Sequence, residues 1–219
     1  MTSIRIALPA ALAIALAACS GDVAEPARAS AGFRVLNATQ APVDVTVDGA
    51  FVVRGLGVAA LSPSLALAAG AHQVRLTSAS GATTTLAVDG SAARTLTTVV
   101  YPDTAARIAA EVLQDTGAVV PAGKSKLRVM HLAANAGAIQ IWRTQPDYQS
   151  PSLIMTPFAY RATSPYLQSD PGNWEVWVTA AGSTAKLAST GAVNVPNGER
   201  RTVVLLDSAG VARFRVIPE

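Results

Sequence analysis

The chain has little of what stabilises small exported proteins or performs catalysis. Its 219 residues include one cysteine and two histidines, and only 14% are charged. A single cysteine excludes a disulfide within the chain. Two histidines make a metal site hard to assemble, because such a site needs three or four converging ligands. The formal net charge of +3 argues against nucleic-acid binding, which normally requires a concentrated basic stripe.

The N-terminal segment has the features of an export signal. Arg5 precedes an apolar run, residues 6–15, which is shorter than the roughly 20 residues of a transmembrane helix. The run ends in Leu16, Ala17, Ala18 and Cys19, which resemble the lipobox of bacterial lipoproteins. This resemblance implies that residues 1–18 are removed and that Cys19 becomes the lipid-bearing N-terminus. An ordinary secretory signal with an incidental thiol is the alternative.

Lipidation of Cys19 would determine where the mature protein resides. One acyl chain anchors a protein marginally, whereas two or more anchor it stably. The membrane is therefore a predicted partner, through acyl chains on Cys19. In bacterial lipoproteins, an aspartate directly after the lipidated cysteine commonly signals retention at the inner membrane. This chain has Ser20 at that position, which favours export to the outer membrane. We expect a lipid-anchored protein of the cell envelope, at the outer membrane, facing the periplasm or the cell surface.

The rest of the sequence alternates between apolar and polar residues and is interrupted by frequent Gly, Pro and Asn turns, a pattern typical of β-sandwiches and barrels. The two halves also resemble each other. Segments that match are 33–36 with 127–130, 45–47 with 139–141, 69–76 with 171–178, and 99–101 with 205–207. We therefore predict an all-β fold of two tandem antiparallel β-sandwich domains.

The predicted boundaries follow from this repeat. They are 1–18 for the signal peptide, 19–31 for the lipidated N-terminus and tether, 32–116 for the first repeat, 117–125 for the linker, and 126–219 for the second repeat. The second copy is longer because polar insertions occur around 145–152 and 183–190. Added length in surface loops costs little conformational entropy.

Two segments of the first half carry a family resemblance. Val-Asp-Val-Thr-Val-Asp-Gly at 43–49 and Ala-Gly-Ala-His-Gln-Val-Arg-Leu at 69–76 resemble the DUF4397 family, often found as tandem immunoglobulin-like repeats in exported bacterial proteins. The second copy departs from the pattern, with Ala-Ile-Gln-Ile-Trp at 138–142 in place of the Asp-Gly hairpin. The family has no known function, so the resemblance implies a fold and an envelope location but no activity.

Three short motifs imitate catalytic or nucleotide sites. Gly123-Lys124-Ser125 lacks the first glycine of a phosphate-binding loop, and 55–60 is followed by Pro63 where a dinucleotide site requires a helix. Ser183-Thr184-Ala185-Lys186 matches one element of the penicillin-recognising enzymes, but the chain lacks their Ser-Asp-Asn and Lys-Thr-Gly elements. We predict no catalytic residue, no cofactor and no enzymatic activity.

The remaining polar candidates have structural explanations. His72 lies near a strand start on the expected core side, and His131 ends the strand that begins at Leu127. The carboxylates of Asp44, Asp48 and Asp89 could in principle bind calcium, but their spacing does not match a calcium-binding loop. We predict no metal site.

The aromatic residues are distributed unevenly. The second copy contains all three tryptophans and most of the tyrosines, namely Trp142, Trp174, Trp177, Tyr148, Tyr160 and Tyr166. Alternation directs Trp174 inward, and Trp142 and Trp177 outward. With Tyr148 in the neighbouring insertion, the outward pair could form a platform that stacks on sugars or packs against a protein. Alternatively, the outward tryptophans cover the junction between the repeats or meet the tether.

Three functional hypotheses follow. The leading one is a non-catalytic, membrane-anchored envelope module that binds a glycan or an envelope protein. The second is a structural spacer with no specific ligand. A serine hydrolase is the least favoured, because no grouping of Ser, His and Asp is visible; Ser183 within reach of Lys186 or a histidine in a pocket would revive it.

Overall fold

The computed structural model describes residues 31–91, 95–104, 106–113, 119–144 and 152–219. Within these ranges the protein consists of β-strands and turns, and its one helical element is a three-residue 3-10 turn, Ala134–Ala136. The predicted signal peptide, Cys19 and the tether up to residue 30 lie outside the described residues. The all-β prediction is confirmed.

Eight strands form the described part of the first repeat. They are β1 (Ala31–Asn37), β2 (Val43–Val47), β3 (Ala50–Leu56), β4 (Leu65–Leu67), β5 (Ala71–Ser78), β6 (Thr83–Asp89), β7 (Thr95–Thr104) and β8 (Arg107–Leu113). Val43 and Val45 of β2 and Val74 and Leu76 of β5 are fully buried, and their outward neighbours are polar, as a half-buried strand requires.

Nine strands are present in the second repeat where the structure describes it. They are β9 (Ser125–Leu132), β10 (Ile139–Thr144), β11 (Ser152–Phe158), β12 (Leu167–Ser169), β13 (Gly172–Ala180), β14 (Lys186–Ser189), β15 (Val193–Val195), β16 (Arg200–Ser208) and β17 (Val211–Pro218). Glycines with positive φ, such as Gly49 and Gly210, lie at hairpin turns, where an L-residue would be strained.

Each repeat is a sandwich of two sheets with the same strand order. The first outer sheet is β3-β2-β5-β6 and the first inner sheet is β4-β1-β7-β8. The second outer sheet is β11-β10-β13-β14, with β15 also paired to β13, and the second inner sheet is β12-β9-β16-β17. The repetition detected in the sequence therefore corresponds to a repeated topology.

The inner sheets are not purely antiparallel. β1 runs parallel to β7, and β9 runs parallel to β16, while the other named pairs are antiparallel. β9 is buried at every position, although four of its eight residues are polar. Leu127 and Val129 face the core of the second repeat, whereas Met130 and Leu132 face the first repeat. Burial on both faces is typical of parallel pairing, which explains the weak alternation in these strands.

Three cores fill the stack of four sheets. One lies inside each repeat, around Phe33 in the first and Ile141 in the second. The third, which we call the junction core, lies between the two inner sheets. Its buried members are Leu36, Ala38, Val99, Tyr101, Leu113, Met130, Leu132, Val204, Leu206 and Ile217. The repeats therefore share buried surface as well as a chain connection.

Strand pairing corrects two of the sequence equivalences. Val45 lies opposite Leu76, and Ile141 lies opposite Val178, so Val45 corresponds to Ile141 and not to Ile139. In the inner sheets, Leu36 pairs with Val99, and Met130 pairs with Val204. Val99 therefore corresponds to Val204 and not to Leu205, which is a shift of one residue.

Candidate functional site

The two outward tryptophans are cross-strand neighbours on the second outer sheet. Trp142 of β10 pairs with Trp177 of β13, and Leu153 of β11 and Ser189 of β14 extend the same row across the sheet. Both indoles face away from the core of their repeat, as alternation predicts. The junction core contains no tryptophan among its described members, so the pair does not cover the boundary between the repeats.

Trp142 is half-buried and anchored by its ring nitrogen. Its Nε1–H donates to Thr179 Oγ1 at 3.3 Å, and that hydroxyl donates to Gln140 Oε1 at 3.2 Å. Because Thr179 lies on the neighbouring strand, this bond directs the indole along the sheet surface. An indole held in this way presents a ring face to an incoming ligand at little cost in side-chain entropy.

Trp177 offers much less surface than its neighbour. It is only 9% exposed, and the ammonium of Lys186 lies 4.2 Å from the centroid of its ring. The same ammonium is 3.9 Å from Glu175 Oε1, a carboxylate that also accepts a hydrogen bond from Ser189. We call Leu153, Trp142, Trp177 and Ser189 the tryptophan row. Trp177 is its buried member, whereas Trp142 and Leu153, which is 42% exposed, are its accessible members. Tyr148 lies outside the described residues.

The same face of the first repeat is built from different residues. Thr46 and Arg75 pair across β2 and β5 and occupy the places of Trp142 and Trp177. Phe51 of β3 lies opposite Thr46, is 53% exposed, and carries the guanidinium of Arg54 at 3.6 Å from its ring centroid. The tryptophan row is therefore specific to the second repeat.

The two histidines have backbone and carboxylate partners rather than a serine. His131 is fully buried; its Nε2 lies 2.7 Å from Gly137 O, and its Nδ1 accepts from the amide of Ala133. Burial lowers the pKa of His131. His72 contacts Asp48 Oδ2 at 2.6 Å, and its hydrogen bond to this carboxylate is the main reason that its pKa is raised. Both arrangements hold turns against strands.

The motifs that imitate catalytic sites are parts of turns and strands. Lys124 pairs with Asp170 at 2.6 Å, and Ser125 begins strand β9 where a phosphate-binding loop requires a helix. Ser183 Oγ accepts the amide of Ala185 within a turn, whereas Lys186 lies over Trp177. The amine of Lys186 therefore packs on the tryptophan row.

The carboxylates that were considered for calcium and set aside have separate partners. Asp44 Oδ1 accepts the amide of Gly55, Asp48 binds His72, and Asp89 Oδ1 accepts the amide of Ser91. Across the described residues, no group of three or more His, Cys, Asp or Glu side chains could hold a metal ion. No helix among them is long and apolar enough to cross a membrane.

Sequence reasoning missed the polar contacts that join the repeats. Tyr160 donates its hydroxyl to Pro102 O at 2.6 Å, and Arg161 binds Asp103 at 2.8 Å. Gln40 Nε2 donates to Asp207 O at 3.1 Å. All of these residues except Arg161 line a cleft of about 330 Å³ between the two repeats. Gln40, Tyr160 and Arg161 lie in turns and bends, where no periodic pattern could have indicated a long-range partner.

This architecture defines a class of protein built from tandem all-β sandwich modules. Residues 31–142 match the model of a family described as "Domain of unknown function (DUF4397)". The match spans the first repeat and the first two strands of the second, and the chain belongs to this family. No curated protein matches the chain.

Three solved structures are similar to this chain at low identity. The TIE protein of Bacillus anthracis is 10% identical over 82% of this chain and 34% of its own, with a TM-score of 0.28. A candidate cell adhesion protein of Bacteroides ovatus is 8% identical over 88% of this chain and 97% of its own, with a TM-score of 0.26. Another, from Bacteroides fragilis, is 11% identical over 84% and 85%, with a TM-score of 0.20. The chain spans about a third of the TIE chain, and likenesses of this size assign no function.

Proposed function

We propose that this protein is a non-catalytic binding module of the cell envelope whose second repeat recognises a glycan or a protein through the row centred on Trp142. The observation that supports it is the anchored indole of Trp142, with its Nε1–H bonded to Thr179 and its pair partner Trp177 beneath the cation of Lys186. Aromatic faces fixed in this way are suited to stacking on sugars or on apolar groups of a protein.

The anchor and the domain division are part of the same proposal. Cleavage after Ala18 and lipidation of Cys19 would hold the body at the outer membrane, with residues 19–31 as the tether. The first repeat would extend over 32–116 and the second over 126–219, joined by 117–125. Intact-mass measurement of protein from the membrane fraction tests the anchor, because a chain that retains Met1 would contradict it.

Substitution of Trp142 by the residue at its counterpart in the first repeat tests the binding surface. Trp142→Thr removes the indole and keeps a residue that the same sheet position accepts at Thr46. We expect at least about a tenfold loss of affinity, since a central aromatic anchor typically contributes 2 kcal/mol or more. The probes are a panel of soluble oligosaccharides, followed by tryptophan fluorescence, and the solubilised envelope fraction, followed by crosslinking.

Arg75→Ala, at the counterpart of Trp177, is the matched control and should leave binding unchanged. Thermal unfolding of both variants must match the parent chain, so that a loss of affinity reflects the surface and not the fold. Equal binding by Trp142→Thr and the parent chain would refute the platform.

A structural spacer is the second candidate, and the junction core favours it. Because the inner sheets of the two repeats bury Leu36, Met130 and Val204 against each other, the body behaves as one four-layered unit of fixed length. If the protein is a spacer, Trp142→Thr should leave its function in the cell unchanged, whereas replacing a whole repeat by a flexible linker should abolish that function. A binding module responds to both changes.

A further inference from the structure

The cleft of about 330 Å³ between the two repeats is lined by polar side chains from both of them. Gln40 and Asp103 belong to the first repeat, and Asn135, Tyr160 and Asp207 belong to the second. None of the described residues that line the cleft is basic, and two of them are carboxylates. The walls therefore carry negative charge, and the two carboxylates differ in how that charge is neutralised.

Asp103 already has two cations. The guanidinium of Arg161 lies 2.8 Å from its Oδ1, and the guanidinium of Arg107 lies 3.7 Å from its Oδ2. The side chain of Asp103 is 30% exposed, so water solvates it as well. A carboxylate that is both paired and hydrated offers little to a further ligand.

Asp207 is buried and has no cation. The residue is 3% exposed, and the backbone amide of Asn135 donates to its Oδ2 at 3.0 Å. No described residue donates to its Oδ1 or forms an ion pair with it. His131 does neither, because its Nε2 is bonded to Gly137 O and its Nδ1 accepts the amide of Ala133. Buried carboxylates are normally paired, because an isolated charge is costly to remove from water.

The fold does not require a carboxylate at this place. The pairing of the inner strands makes Pro102 the counterpart of Asp207 in the first repeat. In the first-repeat turn that corresponds to Ala134–Ala136, the amide of Ala41 donates to the hydroxyl of Thr39 at 3.3 Å. A neutral acceptor is therefore enough to hold such a turn, and the charge of Asp207 has another use.

The free oxygen of Asp207 is reachable from the cleft. Asp207 lines the cleft, and Thr98 Oγ1 is the only fully buried side-chain polar atom without a partner among the described residues, so Asp207 Oδ1 keeps some accessible surface. The ring of Tyr160 lines the same cleft, with its hydroxyl already bonded to Pro102 O. Aromatic rings attract cations electrostatically. An unpaired carboxylate beside such a ring suits a positively charged group.

We propose that the cleft between the repeats binds a primary ammonium group on an alkyl chain, with the carboxylate of Asp207 as its counter-ion and the ring of Tyr160 beside it. A lysine side chain of a protein and a free alkylamine both carry this group. The ammonium supplies a donor for Oδ1 together with a positive charge, and charge-assisted hydrogen bonds of this kind are strong. The tryptophan row lies on the outer sheet, so this proposal and the proposed function stand or fall separately.

Titration of the protein with Nα-acetyl-lysine amide, followed by the NMR shifts of backbone amides, tests the site. We expect saturable shifts at Gln40, Asp103 and Asn135, with a Kd in about the millimolar range, which is usual for so small a ligand. Nα-acetyl-norleucine amide, which lacks the ammonium, should bind at least about tenfold more weakly. This comparison uses the unaltered chain, so it does not depend on the folding of a variant.

A second cleft of about 250 Å³ provides a check on the position. Asp207 and Asn135 line this cleft too, but its other walls include Leu187, Gly210 and Val211 and no aromatic ring. Shifts at Gly210 without shifts at Gln40 would put the ligand in the second cleft and overturn the proposal.

Asp207→Asn is the matching change in the protein. It keeps the size of the side chain and an oxygen for the amide of Asn135, but it removes the charge. We expect at least about a tenfold loss of affinity for Nα-acetyl-lysine amide. Asp170→Asn, which removes an exposed carboxylate that pairs with Lys124 outside the cleft, is the matched control and should leave the affinity unchanged. Thermal unfolding of both variants separates loss of binding from loss of folding.

Titration with n-butylammonium distinguishes the two sources of the group. Affinity equal to that of Nα-acetyl-lysine amide would show that the ammonium and its alkyl chain are sufficient, as for a free amine. Tighter binding of the lysine compound would show that its peptide groups contribute, as for a protein partner. Equal binding of the lysine and norleucine compounds, or equal affinity of a folded Asp207→Asn variant and the parent chain, would overturn the proposal.

Discussion

The two repeats share a strand order, yet equivalent positions in them perform different tasks. At one pair of positions the first repeat has Thr46 and Arg75, whereas the second has Trp142 and Trp177. At another, His72 and Trp174 direct a ring N–H at the same carbonyl position, Ala68 O and Asp170 O, both at 2.9 Å. The comparison teaches that the strand framework accepts either a polar or an aromatic side chain at one place, both on its outer face and beside the core.

Residue His72 shows what this exchange involves. A carbonyl oxygen only accepts hydrogen bonds, and the carboxylate of Asp48 also accepts, so both ring nitrogens of His72 must donate. The raised pKa of His72 favours the imidazolium at this place, where the second repeat holds the uncharged indole of Trp174. In the second repeat the nearby charge is Arg143, whose guanidinium lies 4.7 Å from the Trp174 centroid.

Two equivalent arginines at the junction give the largest expected difference. Arg128 Nη2 lies 3.0 Å from Glu219 Oε1, and both side chains are 7% exposed. Arg34 instead donates to the backbone carbonyl of Pro218 and to Thr97. Arg128→Ala leaves the buried carboxylate of Glu219 without its cation, although Tyr166 and Thr202 still donate to it. The change should lower the free energy of unfolding by about 3 kcal/mol. Arg34→Ala should lower it by about 2 kcal/mol.

Urea denaturation of both variants beside the parent chain measures this difference. Arg128→Met, which keeps the volume of the side chain but not its charge, shows how much of the loss is electrostatic. Equal losses in the Arg128 and Arg34 variants would mean that the buried ion pair does not distinguish the repeats.

Thr98 gives the second comparison. It faces the core of the first repeat, is fully buried, and its Oγ1 has no hydrogen-bond partner among the described residues. Thr98 pairs with Val35, as Val203 pairs with Val129, so the second repeat has valine at the same position. Thr98→Val removes a buried unsatisfied hydroxyl and should raise the free energy of unfolding by about 1 kcal/mol or more. The reverse change, Val203→Thr, should lower it, and a thermal melt of each variant provides the check.

The histidines give the smallest effect, with opposite signs in the two repeats. The pKa of His72 is raised above its usual 6.5, so its stabilisation is complete below that pH and is lost as pH rises through the folded pKa. The pKa of His131 is lowered by burial, so stability is lost as pH falls below 6.5 towards the folded pKa.

Two substitutions separate these contributions. His72→Gln should flatten the decline of stability on the alkaline side of 6.5, and His131→Asn should flatten the decline on the acid side. Asparagine is the natural choice, because Asn37 occupies the equivalent strand end in the first repeat. Unfolding free energies between about pH 5 and pH 8, where histidine titrates, test both; parallel profiles for the variants and the parent chain would contradict this assignment.

Alternation in the sequence was enough to predict the fold class and the outward direction of Trp142 and Trp177. Alternation could not determine which residue of the first repeat corresponds to which residue of the second. A shift of two residues leaves every side chain on its face, so Val45 matched Ile139 as well as Ile141. In β7 and β16 both faces are buried, so no alternation remained to exclude a shift of one residue between Val204 and Leu205.

Other features had no local signal at all. The junction core depends on which face of each inner sheet packs against the other sheet. A strand that is apolar on both faces predicts burial, but it does not indicate which sheet packs against it. The covering of Trp177 by Lys186 arises from a turn that places β14 beside β13. Alternation predicts direction, whereas accessibility depends on the neighbours that tertiary structure supplies.

The parallel pairing of β1 with β7 has a consequence for the rate of folding. Arg34 and Thr97, which contact across this pair, are 63 residues apart in the chain, and the second repeat repeats the arrangement with β9 and β16. Contacts of such high sequence separation place a protein among the slow folders, in the range of milliseconds to seconds. β1 and β9 therefore remain unpaired on the side of β7 and β16, respectively, until nearly the whole repeat has been synthesised.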